Sequence, residues 1–364
     1  DLSKRALRAD LQSGNGQGTP ANESKRPLRG FFYNLAGPQG SSMLTHRSLA
    51  NDGNLMPSAF CAIASIPDAL LFNTEHDLRH PKSAYGTSLR LISAQWLKAL
   101  DELDRLRSEY LWKGNADHMP VVIDAYTQLL HRINEHHDAC YSVLRSLCPA
   151  SSAKATQIDT QFLDKAKLAG WKQFRDATKA YREDHIGLIV NTLKHKQGEL
   201  CPIYFKSTLE FRPGYYLRDV LPGGAMGPSR KLHSGGNTAF SFARDMLMHL
   251  WWLYRIGDLL TTAITTALQV RHAHTLAAIP QSVGDANLTA VLERCAQLSP
   301  EFFPDEISKP YPRVLFQPVP TAVTLEFPTT ARGIRMGSEL RVVTQFVVDG
   351  AHLSEKMPYF GHMQ

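Results

Sequence analysis

The chain has 364 residues, 43% of them hydrophobic, with 40 basic against 34 acidic side chains and a formal charge of +6. This is an ordinary globular composition with enough apolar material for a sizeable core, and its modest positive excess allows a polyanionic partner without requiring one. Five scattered cysteines (Cys61, Cys140, Cys148, Cys201, Cys295) fit neither a disulfide framework nor a CxxC zinc site, so a reducing, cytoplasmic setting is expected.

Residues 1–30 are rich in Gly, Ser, Asn, Lys and Arg, lack hydrophobic periodicity and read as a flexible polar and basic arm. The arm begins DLSKRAL, without an initiator Met or an apolar signal core, which leaves the native N terminus open. Residues 31–85, broken by Gly and Pro, read as an irregular covering segment.

From Gly86 the pattern turns helical, with Leu89, Ile92, Trp96, Leu100, Leu103 and Leu106 at steps of three or four. A second helix is predicted over Val121–Leu147 and a third over Thr160–Gln197, the latter with a kink near Gly170 or Gly187. Its end, NTLKHKQGEL, breaks at Gly198 into a predicted hairpin with strands Cys201–Phe211 and Tyr215–Leu221 around Arg212, Pro213 and Gly214. A glycine-rich loop over Pro222–Asn237 lacks the spacing of a phosphate cradle and reads as a hinge-like connection. A fourth helix follows over Thr238–Ala278. Its apolar stretch Met246–Val270 is interrupted by His249, Arg255 and Asp258, so it belongs in a core and not in lipid. Strands are predicted at Val314–Phe316, Ala322–Phe327 and Leu340–Val348.

The expected fold is mainly α with minor β. It is an antiparallel bundle of long helices over 86–278, with a β insertion at 201–237 between the third and fourth helices and a C-terminal extension of short strands over 279–364.

Residue chemistry is concentrated in two places. Near the start of the fourth helix, ARDMLMHLWWL carries Arg244, Asp245 and His249. An Arg can hold a phosphate and a His can move a proton, the minimal equipment for cleaving RNA by attack of its own 2′-hydroxyl. The second place is the basic end of the third helix, where Lys194, His195 and Lys196 follow Arg182, His185 and Asn191. With Arg230 and Lys231 of the later loop, these would line an anion-binding groove if the hairpin folds back.

No cofactor or metal is expected. His131 and Glu135 lie one helical turn apart, with His136, His137 and Asp138 adjacent, but no second ligand pair matches them, and solvent-facing polarity explains them better. No nucleophile elbow is present. Trp251, Trp252 and Tyr254 read as packing residues.

A helical bundle with Arg244, Asp245 and His249 near the start of a late helix resembles HEPN domains. The resemblance implies an RNA-directed protein, a metal-independent endoribonuclease of a defence or toxin system acting as a homodimer. Arg244 would stabilise the scissile phosphate, His249 would serve as general acid or base, and Asp245 would orient them. Five residues set Arg244 and His249 about 140° apart on an ideal helix, so convergence needs a distorted turn or a second chain. The competing expectation is a non-catalytic helical scaffold, sensor or regulatory subunit that binds a protein partner or a small ligand.

Overall fold

The computed structural model describes residues 45–49, 55–152, 158–196, 198–207, 210–276, 284–318, 321–329, 341–344 and 355–359. The expected arm lies outside the described residues. The protein is mainly helical with a smaller antiparallel β component. Its helical body opens with α2 (Pro81–Lys113) and α3 (Met119–Arg145), a hairpin joined through Gly114–His118. Pro81 suits the first turn, where its missing N–H has no partner to lose, and the His80 ring accepts from the Lys82 N–H at 3.2 Å. The predicted apolar stripe of α2 is buried from Leu89 to Leu106 and meets Val122, Tyr126, Leu129, Ile133 and Leu144 of α3.

α7 (Phe242–His272) is the central helix. It is capped by the Ser241 hydroxyl, which accepts from the Arg244 N–H at 3.4 Å. It is buried continuously from Phe242 to Tyr254, the signature of a helix surrounded on all sides. α1 (Ser58–Ala64) lies against it, held by Ser58 Oγ donating to Asp258 at 2.7 Å and by Tyr254 Oη donating to the Leu55 carbonyl at 2.6 Å.

The third predicted helix is not one rod. It divides into α4 (Asp159–Ala166), α5 (Trp171–Tyr181), a single π-helical turn (Arg182–Ile186) and α6 (Gly187–His195). Of the two expected break points, Gly170 takes φ 83° in the interruption before α5, whereas Gly187 keeps helical angles directly after the wide turn.

The two strands expected after the third helix pair antiparallel, with the connection elsewhere than expected. β2 (Glu199–Lys206) pairs with β3 (Phe211–Val220), so Arg212, Pro213 and Gly214 lie within a strand instead of at its bend. Gly214 is there for space: a Cβ would meet the Phe240 carbonyl oxygen at 2.0 Å. β4 (Met226–Pro228) and β5 (Phe240–Ser241) also pair with β3.

Two further departures concern the C-terminal third. α8 (Ala286–Ala296) was not anticipated, and the late strands do not form a separate terminal sheet. β6 (Tyr311–Pro318) and β7 (Thr321–Thr329) take up β1 (Thr45–Leu49), while β8 (Arg341–Thr344) extends the hairpin sheet alongside β2. The first sheet packs on the helical body through Val323, Leu325 and Phe327, the last with its ring 5.4 Å from Trp251. On β2, Cys201, Ile203 and Phe205 join a small second core with Phe303 and Tyr359. Leu200 and Tyr204 face the main core instead, as the two-residue period of a strand requires. No helix among the described residues is long and apolar enough to cross a membrane.

Candidate metal centre

Asp245 and His249 are one turn apart on α7 and therefore share a face. The third member, His185, comes from the π-helical turn between α5 and α6. That turn is held open from both sides. Arg182 donates to Asn134 Oδ1 at 2.6 Å and to Asp138 Oδ1 at 2.9 Å, anchoring the turn to α3. Gly187 leaves room for the Arg182 carbonyl oxygen, which a Cβ would meet at 2.2 Å. The extra residue accommodated by the wide turn rotates the helix face so that His185 points inward, a common use of such turns.

The three side chains form a closed cluster. His185 Nε2 lies 3.3 Å from Asp245 Oδ1, and His249 Nε2 lies 3.2 Å from Asp245 Oδ2. One ligand atom from each residue falls within 4.8 Å of the others, and all three residues are buried. Tyr126 of α3 and Tyr215 of β3 donate to Asp245 Oδ2 at 2.6 and 2.5 Å, and Tyr181 of α5 hydrogen-bonds His249 Nδ1 at 2.7 Å. Phe240 packs edge-on to His185 at 5.5 Å, and Trp252 stacks on Tyr181 at 4.7 Å.

The electrostatics follow from this enclosure. Burial alone would raise the Asp245 carboxyl, but His249 and His185 outweigh it and hold the group well below the usual carboxylate range. Burial pushes His185 down, against the pull of Asp245. Burial pushes Tyr126, Tyr181 and Tyr215 well above the ordinary phenol value, and the Asp245 charge adds to this. The phenols therefore stay protonated.

Two imidazoles and one carboxylate are a ligand set for a divalent transition metal. Bonds of about 2.1 Å to such an ion put neighbouring ligand atoms roughly 3 Å apart, close to the two His–Asp separations here. His249 adds a specific feature. Its ring is fully enclosed, with Nδ1 2.7 Å from the Tyr181 hydroxyl and Nε2 3.2 Å from Asp245 Oδ2, in a geometry too poor for a well-formed hydrogen bond. The tautomer decides the balance: with the Tyr181 hydroxyl donating to Nδ1, Nε2–H faces the carboxylate, whereas with Nδ1–H given to Tyr181, Nε2 presents a lone pair that a cation would reconcile with Asp245. Phenols on the carboxylate and on the far imidazole nitrogen are the outer partners that orient metal ligands.

The expected sites are therefore redistributed. Asp245 and His249 converge, but Arg244 does not join them. Its guanidinium donates to the Pro310 carbonyl at 2.6 Å on another side of α7, near Glu306, and burial lowers its pKa against the pull of that carboxyl. The first turns of α7 are regular, so the angular separation of Arg244 from His249 persists. Arg244 and His249 are only 1% and 0% exposed, so neither faces a groove.

The expected anion-binding group also divides. His185 is interior and Arg182 is committed to α3, whereas Asn191, Lys194, His195 and Lys196 are exposed at the end of α6. Arg230 and Lys231 are exposed in the loop after β4. No metal ligands were expected from the sequence, whereas the fold brings His185, Asp245 and His249 together as a group able to hold an ion. In α3, the weighed alternative dissolves: Glu135 pairs with Arg132 at 2.7 Å, while His136 and His137 turn into the core. Tyr126, Tyr181 and Tyr215 were missed as site residues because a tyrosine in an apolar stripe reads as packing. No family model, curated protein or solved structure matches this chain.

Proposed function

We propose that this protein is a metalloprotein that binds one zinc or ferrous ion through His185 Nε2, the Asp245 carboxylate and His249 Nε2. The observation that carries the reading is the buried convergence of one ligand atom each from His185, Asp245 and His249 within 4.8 Å of one another. Three protein ligands leave at least one coordination position for water or substrate, where an ion supplies Lewis-acid or redox chemistry. The tyrosines enclose the cluster, so the first consequence of binding is structural. The ion links the α5–α6 turn to α7, and its binding energy becomes folding energy.

The test is metal content by mass spectrometry on protein expressed with zinc and iron supplements, combined with thermal melts before and after chelation. About one ion per chain is expected, lost in His185→Gln and His249→Gln, with a lower melting temperature after chelation that reloading restores. Folded wild-type protein without metal, whose melt ignores both chelators and added ions, would return the cluster to a purely hydrogen-bonded core.

The RNA-directed, HEPN-like reading rests on the surface instead. Lys194, Lys196, Arg230 and Lys231 are exposed and free to contact phosphates. The nuclease pairing of Arg244 with His249 draws no support from two side chains turned into the interior. The scaffold reading agrees with an ion whose first role is to hold elements together.

A further inference from the structure

A separate cavity of about 410 Å³ opens between the Arg230–Asn237 loop and the segment Glu355–Met357, lined also by Leu221. Its walls are tied to one sheet. The Ser229 N–H donates to the Leu217 carbonyl at 2.8 Å, and the Lys356 N–H donates to the Met226 carbonyl at 2.8 Å. Within the loop, the His233 N–H donates to the Ser229 carbonyl and the Gly236 N–H to the His233 carbonyl. The buried His233 ring accepts from the Leu217 N–H at 2.8 Å, pinning the loop from below. Across the gap, the Tyr359 N–H donates to the Asn237 carbonyl at 3.2 Å. The cavity is thus built before any ligand arrives.

Its lining carries two cations against one carboxylate. That carboxylate, Glu355, accepts from Arg218 Nε and Nη2 at 3.0 and 2.7 Å, and Arg218 is shared with Glu199. The lining cations Arg230 and Lys356 are exposed and have no ion-pair partner among the described residues. Asn237 adds a side-chain amide, and Leu221 and Met357 add apolar surface. A preformed pocket of this size, lined by cationic and amide side chains together with apolar ones, suits a small ligand with an anionic head.

We propose that this cavity binds a phosphorylated small molecule, its phosphoryl group between Arg230 and Lys356 and its remainder against Leu221 and Met357. The assignment does not depend on the metal reading. The test is calorimetric titration of the full chain at low ionic strength with inorganic phosphate, AMP, adenosine and a single-stranded RNA oligonucleotide. Arg230→Glu/Lys356→Glu is compared with Lys194→Glu/Lys196→Glu, which makes the same charge change elsewhere, and melts confirm that both variants fold. Binding of phosphate or AMP but not adenosine, weakened at least tenfold in the first variant and retained in the second, supports the site. No heat with phosphate or AMP overturns it, as does equal loss in both variants. RNA binding that depends on Arg230 and Lys356 without AMP or phosphate binding replaces it with a phosphodiester surface.

Discussion

Asp245 is a carboxylate removed from water, which costs several kcal/mol unless donors replace the lost hydration. Here two phenols and two imidazoles surround it. Tyr215→Phe removes one O–H and nothing else of size. It is expected to destabilise the protein by about 1.5–3 kcal/mol, the range for a hydrogen bond to a charged group, measured by urea unfolding. The same change is expected to weaken metal binding by roughly 10–100-fold, as loss of an orienting partner does, measured by competition with a chelating dye. A purely hydrogen-bonded core would show the first effect without the second.

Among the elements, the π-helical turn decides whether the cluster exists. Gly187→Ala places a methyl group 2.2 Å from the Arg182 carbonyl oxygen. The turn must then tighten or shift, at an expected cost of about 2–3 kcal/mol, typical of overpacking, read by thermal denaturation together with loss of metal. Sequence periodicity located α2, α3 and α7 because their apolar stripes are long. It also marked Gly170, where the third helix is interrupted, and Gly187, beside the π-helical turn, but a one-residue shift in so short a segment does not stand out in the apolar spacing, so the inward rotation of His185 was invisible. Arg212–Pro213–Gly214 reads as a bend by composition, whereas Gly214 answers to a tertiary neighbour, Phe240, that lies far along the chain. The short helix α8 passed unnoticed because it spans only Ala286–Ala296, too few turns for a stripe to stand out. At the site, Asp245 and His249 were legible as polar residues in an apolar helix, but their grouping with His185 and apart from Arg244 required the fold.

For the whole molecule, buried histidines, His136 and His137 among them, are expected to contribute to the response to acid. Burial lowers His136 to about 3 and His137 well below its ordinary value, with Arg182 adding to the latter. His136 bonds Ser88 Oγ at 2.8 Å through Nδ1, while neither ring nitrogen of His137 has a hydrogen bond among the described residues. Below about pH 6.5 the unfolded chain takes up protons that the folded chain refuses, so stability falls as pH drops. Each of the two histidines is expected to remove about 2 kcal/mol between pH 7 and pH 5. Glu306, pushed up to about 7 by burial against the pull of Arg244, works in the opposite sense and offsets part of this. Urea unfolding across that range tests the balance, and His137→Leu is expected to flatten the slope. An unchanged slope in that variant would mean that other groups control acid sensitivity.

The pairing of β1 with β7, and of β2 with β8, has a consequence for biosynthesis. The helices α2, α3 and α7 can assemble as they leave the ribosome, but Thr45–Leu49 waits for Thr321–Thr329 to be translated, and Ile203–Lys206 waits for Arg341–Thr344. Until then each early strand keeps an unsatisfied edge, the kind of surface that recruits foreign strands. Both sheets are therefore completed last in order of synthesis, and a chaperone has most to protect until Arg341–Thr344 has been translated.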